Sequence, residues 1–420
     1  AWLDARLRQQ PPRRTDRRLV SPVEDEMIYR YALSLVVFLL LGACATPIVS
    51  YDSGEPCKAT AFTVLDVFTA ARRGSCRVLS ENHVELSIRP EDDGYINPSP
   101  WFAFKISAPE DTTAIVSLQY VGGRHRYIPK ISTDGLNWRP VDANGIKVSR
   151  KGTRATFDVQ LEEKVTWVAA QELVTPVIYN AWNSRTAAQS DAELLLLGQS
   201  VAKQPIHYLV SNPGAKDVLL LVGRQHPPEV SGSFAMFSFV ETLFADTELA
   251  MRFRERFQII AIPLLNPDGV VGGNWRHNLG STDLNRDWGI FEQPETLLVG
   301  NLLDRLDAAG NRIRVFLDFH STDRNVFYTQ DASVPTEPPE FFETWFAQAA
   351  PRITDYEFTN DAGPGKRASV AKNYMYQRYG IPAATYEVGD ETDRTVARRA
   401  AVVFAEELMI LMLETLAQAR

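Results

Sequence analysis

In the stretch GRQHPPE, an imidazole and a carboxylate, His226 and Glu229, stand three residues apart on a turn that two prolines enforce. Imidazole nitrogen and carboxylate oxygen are both ligands for zinc, and a His and a Glu at this spacing can wrap one ion. Catalytic zinc takes three protein ligands and keeps a fourth position open, so a third ligand must come from elsewhere in the chain. His320, directly after VFLDF, is the candidate. The helical H-E-x-x-H pattern is absent, and H-x-x-E alone recurs by chance, so the same two residues also fit a plain polar bend.

The segment NPDGVVGGNWRHNLGSTDLNRDW, residues 266–288, joins a tight NPDG turn to Arg276 and to the pair Asn285–Arg286. A guanidinium's planar fork suits a carboxylate or a developing oxyanion, although arginines in a Gly-rich loop are also compatible with simple solvation. Asp283 is expected to orient Arg276 or cap a turn, and His277 to face solvent. Glu387 closes AATYE, a carboxylate at the end of an apolar run.

Strands and helices must bring these residues together. DVLLLVG, FQIIAIPLL, IRVFLDF and AATYEV read as strands buried on both faces. Helical patterns cover 231–246, 295–309, 338–350 and 392–418, which makes 173–420 an α/β domain. His226 with Glu229, Asn266 with Asp268, His320 and Glu387 each follow or end one strand. Ligands in open α/β sheets bind at the carboxyl ends of strands, so four strands deliver polar groups to one edge. His207, in PIHYLV, is expected in the core. Upstream, 57–172 holds HVELSIRP, WFAFKIS, TAIVSLQYV, RATFDVQL and KVTWVAAQ, separated by turn clusters, and reads as a β-sandwich. His83 and His125 are isolated there and are read as surface or packing residues.

The chain has 420 residues, 45% hydrophobic and 23% charged, ordinary values for a folded protein. A net charge of −8 and the lack of a basic stripe argue against a nucleic-acid partner. The apolar core of YALSLVVFLLLGACAT, Ala32 to Ala43, is shorter than the roughly 20 residues a membrane span needs and fits a secretory signal. It ends in LGAC, which resembles a bacterial lipobox and implies lipidation at Cys44. The leader is therefore 1–43, with 27–43 as lipoprotein signal and 1–26 as an upstream stretch mis-assigned before Met27. A linker covers 44–56. The expected protein is exported and lipid-anchored at the cell envelope, on the periplasmic face of the outer membrane. Of three cysteines, Cys57 and Cys76 then remain as a plausible disulfide pair.

As a set, GRQHPPE, NPDG, NWRHN, DLNRDW, DFHSTDRNVFY and TYEVGDETDR resemble, in order and spacing, the successive blocks of the zinc carboxypeptidase superfamily, in particular its cytosolic-carboxypeptidase branch. The resemblance implies a mixed central sheet flanked by helices, preceded by an N-terminal β-sandwich. It implies one Zn²⁺ per chain, held by His226, Glu229 and His320. Arg276 would polarise the scissile carbonyl, Asn285 and Arg286 would clamp the substrate's terminal carboxylate, and Glu387 would be the general base. The substrate would be a peptide or protein C-terminus.

One departure stands out. The digestive enzymes carry a mobile tyrosine about twenty residues before the general base, but here AGPGKRASVAKNYMYQRYG places Lys366–Arg367 near that position, with Tyr374 and Tyr376 out of register. A basic pair lining the side-chain pocket would favour an acidic departing residue; a solvated loop is the alternative. Two other readings stay open: a zinc amidohydrolase acting on cell-wall peptides or N-acyl amino acids, and a non-catalytic lipoprotein that binds peptide or cell wall.

Overall fold

The computed structural model describes residues 56–420 apart from 93–98, 163, 332, 364–366 and 417–420. The expected leader, the Cys44 anchor and residues 44–55 of the linker lie outside the described residues, as does Lys366. The described residues all belong to one compact unit. Among them no helix is long and apolar enough to cross a membrane.

Two sheets make up the N-terminal region. One has six strands, in the order Cys57–Lys58, Thr63–Leu65, Ala103–Ser107, Val165–Ala169, Lys130–Ser132 and Arg139–Pro140. The other has five: Cys76–Ser80, His83–Ile88, Thr112–Tyr120, Arg154–Leu161 and Lys147–Val148. Period-two patterning explains them. In His83–Ile88, Val84, Leu86 and Ile88 are buried while the residues between are not. Cys57 and Cys76 are joined as expected, with Cα atoms 5.9 Å apart. His83 bonds Ser117 and His125 bonds Tyr120, so both serve packing.

An eight-stranded mixed sheet forms the remainder, in the order Glu193–Gln199, Pro205–Ser211, Phe257–Ile262, Asp217–Gly223, Arg312–Thr322, Ala383–Gly389, Val326–Thr329 and Thr359–Ala362. The four strands read from the aliphatic runs are its parallel centre. Asp217–Gly223 is buried along its whole length. Leu219 and Leu221 join the core on one face, and Val218, Leu220 and Val222 the core on the other. Each such side chain contributes about 1.5–3 kcal/mol of burial.

The helices Val230–Leu243, Pro294–Ala308, Phe341–Ala349 and Arg394–Leu416 match the four periodic stretches. The third begins later than its pattern suggested, because Pro338 and Pro339 precede Glu340, which turns left-handed at φ 53°. Asp393 starts the last helix by accepting the N–H groups of Thr395 and Val396. Edge strands were illegible in the pattern. Thr359–Ala362 is exposed throughout and has no apolar alternation. His207 lies on its strand as expected but is only half-buried, against the core reading.

Candidate active site

The site is assembled at the carboxyl ends of the central parallel strands. His320 and Glu387 are register partners on neighbouring strands, so their side chains leave the sheet on the same face. His226 and Glu229 follow the next strand over, after Gly223. Arg224 there adopts φ 52°, a strained value for a long side chain, and the strain is held by its own bonds. Its Nε donates to Pro227 O at 2.8 Å, and its Nη1 reaches Ser233 Oγ at 3.0 Å and Tyr179 OH at 3.2 Å. Helix Val230–Leu243 then starts against the His320 strand. A Cβ on Gly232 would lie 2.3 Å from His320 O, so only glycine allows that approach.

Three ligand residues converge. His226 Nδ1 is 2.8 Å from Glu229 Oε1, His320 Nδ1 is 2.6 Å from Glu229 Oε2, and the two Nδ1 atoms are 3.1 Å apart. Ligands at zinc bond lengths in a tetrahedron are separated by about 3.3 Å, close to this spacing. The far nitrogens explain the orientation. His226 Nε2–H donates to Asp283 at 2.9 Å, and His320 Nε2–H donates to Asp318 at 2.7 Å. Carboxylates on both Nε2 atoms leave both Nδ1 lone pairs facing each other and Glu229. Such a convergence of acceptors asks for a cation. Electrostatics agree: burial pulls the His320 imidazole down, but Asp318 and Glu229 outweigh it and hold its pKa well above the usual value. Burial likewise pushes Glu229 up, and His226 and His320 overcome it and hold the carboxylate well below its usual range. The residues present therefore fit Zn²⁺.

Asp318 was not singled out by sequence, because its signal is only a polar residue inside VFLDFH. It is wholly buried, and its Oδ2 also accepts from Gln225 Nε2 at 2.7 Å, which Trp288 holds in turn at 3.0 Å. Asp318→Asn should lower zinc affinity about 10- to 100-fold, since an amide orients His320 less firmly. Competition with a chromogenic chelator measures this, and an unchanged affinity would remove Asp318 from the metal site.

Around the ligands lies a cleft of 350 Å³ lined by Arg126, Arg276, Asn285, Arg286, Tyr328, Lys372 and Glu387, among others. Glu387 Oε2 is buried and has no hydrogen-bond partner among the described residues. Burial, with Glu229 next, pushes the Glu387 carboxyl up to about 8, against the pull of His320, Arg276 and Arg126. Arg276 is buried, donates Nε–H to Asp283 at 2.7 Å, and places Nη1 3.9 Å from Glu229. Asp283 thus does both things expected of it, since it also caps the turn by accepting the Asn285 N–H at 2.9 Å. Its bond to His226 is a third task that the sequence did not reveal. Burial raises Asp283, but His226, Arg276 and Arg286 hold it far below the carboxylate range.

Asn285 Oδ1 accepts from Ala371 N at 2.8 Å, and its Nδ2 lies 3.3 Å from His320 Nε2. That nitrogen carries the proton given to Asp318, so the Asn285 N–H groups have no committed acceptor among the described residues. Arg286 donates Nη1–H to Asn285 O at 2.7 Å and lines the cleft beside it.

Not every expected polar group arrives. Asn266 is scaffold, with its Nδ2 on Gln225 O at 2.9 Å. Asp268 turns away to Ser200 Oγ and Ala202 N, both at 2.7 Å. His277 does not face solvent: its Nδ1 meets Asp92 at 2.6 Å. Tyr374 packs on Trp288 and Phe291, and Tyr376 bonds Pro335 O, so neither enters the cleft. Tyr328 does, from the unrecognised strand Val326–Thr329. Lys372 and Arg126 were also missed. Arg126 comes from the N-terminal region and grips Asp390, three residues past Glu387, at 2.7 and 3.2 Å.

Residues 178–409 match the Peptidase_M14 family, zinc carboxypeptidase. Cytosolic carboxypeptidase 2 of Danio rerio is 40% identical over 118 residues, 27% of this chain and 16% of that protein. Cytosolic carboxypeptidase 6 of Caenorhabditis elegans is 32% identical over 195 residues, 41% of this chain and 42% of that protein. The chain therefore matches less than half the length of either relative. In three dimensions a metallo-carboxypeptidase from Burkholderia cenocepacia shares the fold, with TM-score 0.71 and 20% identity over 84% of this chain and 98% of that one. With the family match covering more than half of the sequence, the chain belongs to the zinc carboxypeptidase family, whose cofactor is Zn²⁺.

Proposed function

We propose that this enzyme removes single C-terminal residues from peptides or proteins and favours acidic ones. The observation that carries the reading is the meeting, in one cleft, of a three-ligand metal set with the unpartnered buried oxygen of Glu387. Zn²⁺ held by His226, Glu229 and His320 would supply a Lewis acid and bring the pKa of water to about 7. Glu387 takes the proton of the attacking water and hands it to the leaving amine; its raised pKa suits both directions. Arg276 faces the carbonyl oxygen as negative charge develops on it. Asn285 and Arg286 hold the terminal carboxylate, which confines cleavage to the chain end.

The acidic preference draws support from cations along the same cleft. Lys366 lies outside the described residues, but Arg367 lines the cleft and Lys372 stands buried within it. We also propose that the protein is exported and anchored at Cys44; the Cys57–Cys76 disulfide supports an oxidising compartment.

The test is a panel of peptides that differ only in ending with Glu, Asp, Leu or Lys, with released amino acids quantified with and without a zinc chelator. Glu and Asp should be released fastest, chelation should stop release, and added Zn²⁺ should restore it. Equal turnover of the panel would remove the acidic preference. Cleavage of cell-wall amides with no release from any peptide would favour an amidohydrolase instead.

A further inference from the structure

Glu91 follows the strand His83–Ile88 of the N-terminal region, yet its carboxylate is bonded to the loop that carries Arg276. Three consecutive backbone N–H groups donate to it. Trp275 N–H reaches Oε2 at 2.6 Å, and the N–H groups of Arg276 and His277 reach Oε1 at 2.9 and 2.6 Å. Successive N–H groups aimed at one point form a nest for an anion, and here the chain supplies the anion itself. Asp92, next along, accepts from His277 Nδ1 at 2.6 Å and from Ser281 Oγ at 2.8 Å.

Glu91, Asp92 and His277 also bring ligand atoms close enough to hold a cation. The three N–H dipoles decide against that, because they already occupy both Glu91 oxygens and favour negative charge there. The group is a clasp on the loop.

The clasp closes on the residue whose placement matters most. The Arg276 main chain is held by Glu91, and the Arg276 guanidinium is held by Asp283 at 2.7 Å. The N-terminal region also secures the chain just before it. Ala70 N–H donates to Val271 O at 2.9 Å, and Trp275 Nε1–H donates to Trp101 O at 3.1 Å. The Glu91 side chain is 5% exposed and accepts three hydrogen bonds from the loop.

We propose that Glu91 is a positioning residue for Arg276: by filling the nest at 275–277 it sets where the guanidinium meets the developing oxyanion. The N-terminal β-region is then a working part of the active site. This rests on the role given to Arg276 above.

A double-mutant cycle tests it. Glu91→Gln keeps the shape but removes the charge and turns an amide N–H₂ against an N–H donor. It should lower kcat about 10-fold with KM changed by less than about twofold. Affinity for a phosphonate that mimics the tetrahedral intermediate should fall in parallel, while affinity for a succinate-based product analogue stays put. In an Arg276→Ala background, itself reduced about 10²- to 10³-fold, Glu91→Gln should cost nothing further. An equal loss in both backgrounds, or no loss in either, overturns the proposal. An Arg276→Ala enzyme with normal kcat would instead overturn the role of Arg276. Should Glu91→Gln not fold, Glu91→Asp, which withdraws the charge by one methylene, enters the same cycle. Failure of both to fold makes Glu91 a folding element and overturns its positioning role.

Discussion

Glu387→Gln is expected to lower kcat about 10³-fold while leaving zinc content unchanged. Glutamine matches glutamate in size and polarity, so the substitution tests proton transfer and little else. Glu387 Oε2 has no hydrogen-bond partner among the described residues, so no contact with them is forfeited at that atom. The carboxylate is also held near Glu229, whose charge opposes its ionisation. An amide removes that repulsion, and the thermal midpoint should be equal to or higher than that of the wild type. High activity bought at some cost in stability is the ordinary condition of such a site. Single-turnover rates on a peptide ending in glutamate, with metal content by elemental analysis, give the answer. A loss smaller than about tenfold would place the general base elsewhere. Loss of zinc together with activity would mean that Glu387 shapes the metal site and does not merely work beside it.

Much of this architecture was legible in sequence, for identifiable reasons. A strand buried on both faces, such as Asp217–Gly223, has to be apolar throughout, and the polar residue that follows it stands out. His226, Glu229, His320 and Glu387 were found in this way, and the structure brings His226, Glu229 and Glu387 to one cleft, with His320 against Glu229 at 2.6 Å. The groups that orient them were harder to see. Asp318 acts on His320 from two positions away on the same strand, and Asp283 acts on His226 across 57 residues. The first is a two-residue spacing that any strand repeats and so does not stand out, and the second is made by loop closure and not by spacing along the chain. The N-terminal contributions were less legible still. Arg126 meets Asp390 and Lys130 meets Glu391 at 3.0 Å, and nothing near either basic residue points to a partner more than 200 positions later. His277 was misread for the same reason: it looks solvent-bound until Asp92 is placed beside it.

Lys372→Met should remove the proposed preference for acidic C-termini: kcat/KM for a peptide ending in glutamate falls about 100-fold, while that for one ending in leucine holds or rises. Lys372 is the second residue of helix Ala371–Tyr379, and the first, Ala371, donates its N–H to Asn285 Oδ1 at 2.8 Å. One helix start therefore sets both the proposed carboxylate clamp and the charge that would meet the departing side chain. The ammonium is buried against Thr329 O at 3.3 Å. Burial pulls its pKa down to about 8, with Asp361 pulling partly back. An ammonium in that place is costly until an anion arrives, and an acidic side chain offsets the cost where an aliphatic one does not. Arg367, exposed at the rim, is screened by water and should matter less. The sign of the pH effect follows. The cation is present below about 8 and lost above it, so kcat/KM for the glutamate peptide relative to the leucine peptide, a ratio from which the shared titration of Glu387 cancels, should fall as pH rises through that value. Lys372→Met should make that ratio independent of pH. Methionine keeps the length of the side chain in a buried setting, so the fold should tolerate it. A uniform loss on all substrates would assign Lys372 to the scaffold, and persistence of the fall in the variant would assign the titration to another group.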